Sequence, residues 1–556
     1  MILLIDNYDS FSYNLYHQVF RVTGREPVLI HNDEPVEPYL GPELEAVIIS
    51  PGPGNPMTPR DMGCSTVAID YAVRNAVPLL GICLGHQAIA HYFGGEVGRV
   101  HPTHGIMEEI SYRGRPMQIM RYHSLGVTRL PAPLRPIAWA ADGTLMGLEH
   151  PTLPILGVQF HPESVGSPTG DEIMREFLGY PLRHEVPAVS PLDVIATMRG
   201  RGQEEFFWLR DGEKSIIAFP STRPAPAIVP GAGFSGTGWV GTCTYEGEAT
   251  WLPVRNSVII HGDTMTLVSC DRDFFPEAFS RAACSVPAAL RAELAAMELR
   301  DDHDSYIEKI AQCQEKIAAG ESYEVCLTTA WEGEASSWDV LELAALFNEV
   351  APTPYGACVH AGGRTALSFS PEEFIRIQDG VARSRPIKGT APAEDSTDFV
   401  GTKEIAENLM IVDLVRHDLG RVSVPDGVVA DPLLVVETHG HVHQLISTIS
   451  AQLREDVSPQ EVLDAAFPPG SMTGAPKKRT MEIIEELEKA PRGLYSGYIG
   501  YISADTATSV VIRTLVMENN RWHYGVGGAI TALSDPEAEW QEILHKSRIL
   551  KHLGGQ

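Results

Sequence analysis

The chain has 556 residues, too many for a single hydrophobic core, so two or more domains are expected. Its formal charge of −29 argues against nucleic acid and anionic membrane surfaces as partners. Eight cysteines without metal-ligand spacing suit a reducing compartment, and Asp6 and Asp9 end the apolar N-terminus too early for a signal peptide. We therefore expect a cytoplasmic protein without a membrane-spanning segment.

Residues 1 to about 180 alternate short apolar strands with amphipathic helices, which predicts an α/β doubly wound domain. Three prolines within 181–191 predict a semi-rigid linker. Residues 192–556 mix strands and helices less regularly and predict a larger α+β domain. The role of its first part, to about residue 300, stays open.

A cysteine stands at the sharpest predicted turn of the first domain. An apolar run ends at Gly81, Cys83 follows, and a helix-forming run starts at once, so the thiol lies between a strand and a helix. Gly81 and Gly85 allow a tight bend there. The helix dipole favours the thiolate, which makes Cys83 a candidate nucleophile. The alternative is an ordinary buried free cysteine.

His161 and Glu163 end a later predicted strand, two residues apart, so their side chains face the same way. With Cys83 upstream, this pattern favours a Cys–His–Glu relay over a structural histidine. A Pro/Gly loop at 50–54 offers the N–H groups of Gly52 and Gly54 to an oxyanion, although such loops are often only turns.

These features and the opening motif at 6–11, Asp-Asn-Tyr-Asp-Ser-Phe, resemble the triad-type glutamine amidotransferases across the whole first domain. The resemblance implies that Cys83 attacks the side-chain amide of glutamine, forming a thioester as ammonia leaves. His161 would be the general base and acid, and Glu163 would orient it. The resemblance also implies an oxyanion pocket and a glutamine site, formed by Gly52, Gly54, Leu84, Gln87, Ser124 and Leu125.

Carboxylates in the second domain stand where the pattern expects apolar residues. Glu407 shares a face with apolar residues of a predicted helix at 400–415, so it is a candidate buried carboxylate that needs a cation or a donor. A second helix begins at Asp535, which suits the N-cap position, and carries Glu539, Glu542 and Lys546 on one stripe. Two such carboxylates suit Mg²⁺, whereas the alternative for Glu542 and Lys546 is a surface ion pair.

Arg513 falls in a predicted strand at 509–515, where a buried guanidinium needs a planar anion. That anion is either a ligand carboxylate or an internal salt-bridge partner. The glycine-rich run 525–529 brings N–H groups against an anion, or else forms a tight strand bend.

Together with the segments 385–390, 407–414 and 470–477, these features resemble the chorismate-utilising enzymes. That group holds anthranilate, aminodeoxychorismate and isochorismate synthases. The resemblance implies Mg²⁺ on Glu407 and Glu542, bridging to the ring carboxylate of chorismate, and Glu372 as the acid that helps the 4-hydroxyl leave. The residues implied to bind the chorismate dianion are Gly389, Thr390, Tyr498, Arg513, Gly527, Gly528, Ala529 and Lys546.

Lys388 separates the branches of this group. Anthranilate synthases carry Ala at this position and aminodeoxychorismate synthases carry Lys, as here. The Lys implies addition at C2 of chorismate, followed by attack of ammonia at C4 to give 4-amino-4-deoxychorismate. For that role we expect burial, Arg385 or the metal to lower the pKa of Lys388. No pyruvate-eliminating site is evident, so a separate lyase would form 4-aminobenzoate for folate or a specialised metabolite.

Three alternatives stay open. Lys388 could serve only as a positive charge for a substrate carboxylate. The product could be the 2-amino isomer, 2-amino-2-deoxyisochorismate, or anthranilate. A regulatory binding protein with an inactive triad is the alternative of a different class, and the presence of all three triad residue types disfavours it.

Three positions depart from the pattern of the resembling enzymes. Glu324 stands where Gln is common, His417 where Asn is common, and Gln444 where anthranilate synthases have His. Their effects stay open.

Overall fold

The computed structural model describes residues 1–225, 236–271, 274–350, 352–392, 401–439 and 442–555. The chain divides into two compact units, Met1–Leu182 and Arg183–Gln556. The division falls two residues after the predicted end of the first domain. No helix of the described residues is long and apolar enough to cross a membrane.

The strands of the first unit are β1 (Ile2–Asp6), β2 (Val28–His31), β3 (Ala46–Ile49), β4 (Leu79–Ile82), β5 (Glu96–Tyr112), β6 (Arg115–Arg129), β7 (Arg135–Trp139), β8 (Leu145–Glu149) and β9 (Ile155–Val158). Its helices are α1 (Ser12–Thr23), α2 (Pro59–Met62), α3 (Ser65–Asn75), α4 (Leu84–Tyr92) and α5 (Gly170–Leu178).

One sheet organises the first unit, in the order β2-β1-β3-β4-β9-β8-β7-β5-β6. The pairs among β1, β2, β3, β4 and β9 are parallel, and β5 to β8 add an antiparallel extension. Strands β1, β3, β4 and β9 are buried along their whole length, as expected of a parallel sheet covered by helices. The predicted α/β fold of this domain is confirmed.

The second unit begins with β10 (Leu182–Pro187), β11 (Phe206–Asp211), β12 (Lys214–Pro220), β13 (Gly238–Cys243), β14 (Ala249–His261), β15 (Thr264–Ser269), β16 (Glu298–Leu299), β17 (Glu324–Glu334), β18 (Ala357–Ala361), β19 (Arg364–Ser368), β20 (Glu373–Gln378), β21 (Val381–Arg385) and β22 (Ile387–Pro392). Its later strands are β23 (Ser423–Ala430), β24 (Val435–His439), β25 (Val442–Ile446), β26 (Ile449–Leu453), β27 (Gly474–Ala475), β28 (Tyr498–Ile502), β29 (Thr506–Val510), β30 (Thr514–Glu518) and β31 (Arg521–Ile530). Its helices are α6 (Pro191–Arg199), α7 (Ala288–Ala295), α8 (His303–Ala318), α9 (Val340–Glu349), α10 (Thr402–Gly420), α11 (Pro459–Ala466), α12 (Lys477–Glu488), α13 (Pro536–Lys546) and α14 (Arg548–Leu553).

Antiparallel pairing dominates the second unit, which has a 19-stranded sheet and a small sheet of β22, β25 and β24. Helices and strands bury a shared apolar core that includes Trp208, Phe347 and Tyr524. This mixture confirms the predicted α+β class. The predicted linker 181–191 is not coil throughout, because β10 occupies most of it and pairs with β11 and β15.

Candidate active sites

The predicted triad of the first unit lies where parallel strands end. Asn7 follows β1, Ser50 follows β3, Cys83 follows β4 and His161 lies three residues after β9. Open α/β sheets bind ligands outside the carboxyl ends of their strands, so these segments converge by topology.

Cys83 occupies a strained turn between β4 and α4. Its φ of 50° lies in the left-handed region, which costs a non-glycine residue about 1–3 kcal/mol. Glycines make the turn possible, since a Cβ on Gly81 would lie 2.4 Å from the backbone of Gly85. The turn places the thiol at the N-terminus of α4, as predicted.

His161 is hydrogen-bonded to Glu163 and interacts electrostatically with Cys83. Its Nδ1 lies 2.6 Å from Oε1 of Glu163, and both side chains are buried. Burial disfavours the charged imidazolium, but Cys83 and Glu163 outweigh it and raise the pKa of His161 to about 10. The rings of Phe11 and Tyr122 make edge contacts with the imidazole, which fix its plane. The arrangement therefore favours a protonated His161 beside Cys83.

The loop after β3 is held by the opening motif of the chain. Asn7 donates from its backbone N to Ser50 Oγ at 2.9 Å and from its side chain to Ser50 O at 3.0 Å. A Cβ on Gly52 would lie 2.6 Å from Asn7, so only glycine fits there. Leu84 begins α4, where the first N–H groups have no partner within the helix. Asn7, in the opening segment 6–11, thus positions this loop, a role that the sequence did not assign to it.

Of the predicted glutamine-binding residues, Gln87 and Leu125 contact each other, whereas Ser124 has a different partner. Gln87 donates to Leu125 O at 2.9 Å and to the side chain of Gln159 at 3.2 Å. Gln159 in turn lies 3.5 Å from Cys83 Sγ. The hydroxyl of exposed Ser124 bonds His104 at 2.9 Å. Gln87 therefore supports the nucleophile through Gln159, and the direct glutamine contacts stay a prediction.

Lys388 lies at a β-bulge of the second unit. The register between β22 and β25 shifts between Lys388 and Thr390, and Gly389 between them has φ 76°. A bulge with glycine in the left-handed conformation re-aims the neighbouring side chain. The Lys388 Nζ lies 2.6 Å from Oε1 of Glu324, and both residues are buried.

The expected lowering of the Lys388 pKa is wrong. Burial lowers it, but Glu324 and Glu407 together outweigh burial and raise it above the usual range. Arg385 forms an ion pair with Glu437 and is not among the largest influences on this pKa. Sequence reasoning noted Glu324 as a departure but did not anticipate this ion pair.

Glu372 is a buried carboxyl with a perturbed pKa. Burial raises the pKa to about 7, against the opposing effects of the hydrogen bond from Ser471 Oγ, at 2.7 Å, and of the charges on Lys388, Lys546 and Arg513. A carboxyl of this kind is partly protonated at neutral pH and able to donate a proton.

Glu407 lies in α10 and is 7% exposed, as the helical pattern predicts. Burial raises its pKa to about 7, and its buried Oε1 has no hydrogen-bond partner among the described residues. Lys403 Nζ lies 3.6 Å from that oxygen and also pairs with Glu539. Sequence reasoning missed Lys403. It placed Glu539 on the same helix stripe as Glu542, one turn before it, but gave Glu539 no role.

Glu542 forms the ion pair with Lys546 that the sequence offered as the alternative to a metal site. Its Oε1 lies 2.6 Å from Lys546 Nζ, which also donates to Gly527 O at 2.6 Å. Glu539 and Glu542 converge over Gly528, where a Cβ would lie 3.2 Å and 3.7 Å from their oxygens. Across the described residues, no group of three or more His, Cys, Asp or Glu side chains is arranged to hold a metal ion.

The strand predicted around Arg513 is wrong at that residue. Arg513 has φ 51° and lies between β29 and β30. Within the described residues no carboxylate forms an ion pair with it, which contradicts the internal salt bridge, and burial lowers its pKa. A desolvated guanidinium of this kind is suited to a ligand carboxylate.

Tyr498, Ala529 and Thr390 are three further residues that were predicted to bind chorismate. Tyr498 is 1% exposed and packs among Phe374, Phe467 and Trp251, so it belongs to the aromatic core. Ala529 lies in β31, paired with β17. The side chain of Thr390 lies outside the part that the structure describes.

The structure also shows the positions of Gln444 and His417, two residues that depart from the pattern of the resembling enzymes. Gln444 is fully buried opposite Thr390, and neither side-chain polar atom has a hydrogen-bond partner in the described ranges. His417 is exposed in the last turn of α10.

Comparisons with known proteins agree with the two sites. The family described as glutamine amidotransferase class-I matches residues 3–179, and the chorismate binding enzyme family matches residues 266–552. Aminodeoxychorismate synthase of Streptomyces griseus is 38% identical, over 99% of this chain and 95% of that protein. That of Streptomyces pristinaespiralis is 34% identical, over 98% of this chain and 96% of that protein. This chain belongs to the aminodeoxychorismate synthase family.

The aminodeoxychorismate synthase family thus accounts for both units in one chain. The menaquinone-specific isochorismate synthase of Escherichia coli shares the fold of the larger part, with a TM-score of 0.55 at 19% identity over 67% of this chain and 94% of that chain. Residues 183–265 precede the matched chorismate-binding region, yet β11 pairs with β18 and β13 with β28. This stretch therefore completes the sheet of the synthase unit.

Proposed function

We propose that this chain hydrolyses glutamine at Cys83 and uses the ammonia to convert chorismate into 4-amino-4-deoxychorismate. The full-length similarity to aminodeoxychorismate synthases supports the reaction. The observation that carries the choice of product is Lys388, buried at the Gly389 bulge among carboxylates.

The first unit supplies the chemistry of amide hydrolysis. The Cys83 thiolate attacks the glutamine side-chain amide, and protonated His161 gives its proton to the departing ammonia. The N–H groups of Gly52, Gly54 and Leu84 stabilise the oxyanion. His161 then takes a proton from the water that hydrolyses the thioester, held in orientation by Glu163.

The second unit holds chorismate through charge complementarity. Arg513, which forms no ion pair with a carboxylate of the described residues, binds one substrate carboxylate, and Lys546 faces the other. Neutral Lys388 adds at C2, and Glu372 protonates the 4-hydroxyl as it leaves as water. Ammonia then attacks C4, the bond from C2 to Lys388 breaks, and the 4-amino product forms.

The buried carboxylates of the second unit have the chemistry that Mg²⁺ prefers. Glu407 Oε1 and Glu539 Oε2 are buried oxygens without hydrogen-bond partners in the described residues, and carboxylate oxygens are ligands that Mg²⁺ prefers. Glu407 and Glu542 would hold the ion, with Glu539 beside them. Bound Mg²⁺ would neutralise the substrate carboxylate and lower the repulsion between it and these acids.

The setting follows from the cysteines and the product. All eight cysteines are free thiols, so we place the protein in a reducing, cytoplasmic compartment. The product retains its enolpyruvyl group, so a separate lyase must act on it to give 4-aminobenzoate.

Product analysis tests the proposal. Purified protein with chorismate, glutamine and Mg²⁺ is expected to form 4-amino-4-deoxychorismate, identified by mass and retention. Cys83→Ala should lose the glutamine-dependent reaction and keep the ammonium-dependent one. Lys388→Ala should lose the 4-amino product. A 2-amino product or anthranilate from the unaltered protein would overturn the proposal.

A further inference from the structure

The ion pair between Lys388 and Glu324 creates a chemical problem for the proposed reaction. A lysine attacks carbon only as the neutral amine, yet the structure places its Nζ 2.6 Å from a carboxylate that stabilises the ammonium form. A proton must leave Nζ before the bond to C2 forms, and an acceptor must lie within hydrogen-bond reach.

We propose that Glu324 is this acceptor: it positions Lys388 and takes the proton from Nζ as chorismate is attacked. The inference rests on the proposed function and deepens it. Among the described residues, Glu324 accepts the one hydrogen bond that Lys388 Nζ donates. Its side chain is 1% exposed, so water does not compete as acceptor.

The backbone of Glu324 is fixed on both sides. It starts β17 and pairs with Ala475, and Ser322 Oγ donates to its carbonyl at 3.0 Å. Oε1 is thereby held at Lys388, whereas Oε2 is buried without a hydrogen-bond partner in the described ranges. An oxygen of this kind gains from becoming a hydroxyl that can donate to the incoming substrate.

Burial makes the transfer feasible. Moving one proton from Lys388 to Glu324 turns two buried charges into two neutral groups, which removes a desolvation penalty. Glu407, Cys326, Glu372 and Glu542 also interact electrostatically with Lys388. A glutamine at this position could not accept the proton from Nζ.

The proton balance closes over one turnover. Glu324 receives a proton from Lys388, Nζ bonds to C2, the ring double bonds shift, and the C4–O bond breaks with the proton of Glu372. Ammonia bonds to C4, the C2–N bond breaks, and Lys388 leaves as an amine that regains its proton from Glu324. Glu372 recovers a proton from the new C4 ammonium group.

Glu324→Gln and Glu324→Ala test the assignment with ammonium as nitrogen source, so that the first unit is bypassed. We expect kcat to fall by about 10²–10⁴-fold in both variants, with KM for chorismate changed less than about threefold. Added formate should restore Glu324→Ala at least about tenfold, because it fills the space left by the carboxylate, and should leave Glu324→Gln unchanged. Glu437→Gln, which removes the charged partner of Arg385 on β24, is the matched control and should retain its rate.

Two results would overturn the inference: Glu324→Gln turning over within about threefold of the unaltered protein, or Glu324→Ala losing activity without any response to formate. Chorismate binding and thermal unfolding of each variant show whether it folds, and the formate response decides even if Glu324→Gln does not fold. A wrong proposed function would show differently, as a wrong product from the unaltered protein.

Discussion

The acid role of Glu372 leads to a quantitative pH prediction. Burial raises the pKa of this carboxyl to about 7, and only the protonated form can donate to the departing hydroxyl. The synthase rate should therefore be full below pH 7 and fall above it. With this pKa, roughly half of the enzyme is competent at pH 7, about a tenth at pH 8 and about a hundredth at pH 9.

The assay follows formation of the 4-amino product from ammonium salts, with free ammonia held constant as the pH changes. Glu372→Gln keeps the shape of the side chain but cannot donate a proton, so its rate should be about 10²–10⁴-fold lower and should lack this fall. A flat profile between pH 7 and 9 in the unaltered protein would refute the reasoning.

Ser471 offers a graded control on the same group. Its hydroxyl bonds Glu372 at 2.7 Å and stabilises the charged form. A hydrogen bond to a charged group contributes about 1.5–3 kcal/mol, and about 1.4 kcal/mol corresponds to one pKa unit. Ser471→Ala should therefore move the fall in rate roughly one to two pH units higher. A shift to lower pH would contradict the assigned cause.

Three further predictions address other parts of the chain. Glu163→Gln removes an anion that raises the pKa of His161, so glutamine hydrolysis should fall about 10³–10⁴-fold while the ammonium-dependent rate stays within twofold; an unchanged glutamine rate would contradict the triad. Glu407→Gln should weaken Mg²⁺ binding at least about tenfold by calorimetry, and unchanged binding would remove Glu407 from the metal site. Arg492→Leu leaves buried Glu488 unpaired and should lower the free energy of unfolding by about 3–5 kcal/mol in denaturant, whereas a loss below 1 kcal/mol would mean that the pair matters little.

Local sequence determined the parts of the sites that depend on local backbone. The strand, turn and helix around Cys83 follow from an apolar run and two glycines, and the structure confirms them. His161 and Glu163 are two residues apart, so a short segment alone brings them into contact. Asp535 caps α13 as predicted, since its carboxylate accepts from Ala538 N. The same helix fixes the spacing of Glu542 and Lys546.

The tertiary structure alone decided which charges meet across the chain. Lys388 and Glu324 are 64 residues apart, and Lys403 and Glu539 are 136 apart. No period or motif encodes such pairs, because strand pairing and helix packing bring them together. The error on the Lys388 pKa has this cause: the sequence indicated burial, which lowers the pKa of a lysine, but not the carboxylates that outweigh it. The strand predicted through Arg513 was wrong for the same reason. Only the tertiary structure shows that the chain turns at Arg513 and that no carboxylate among the described residues forms an ion pair with it.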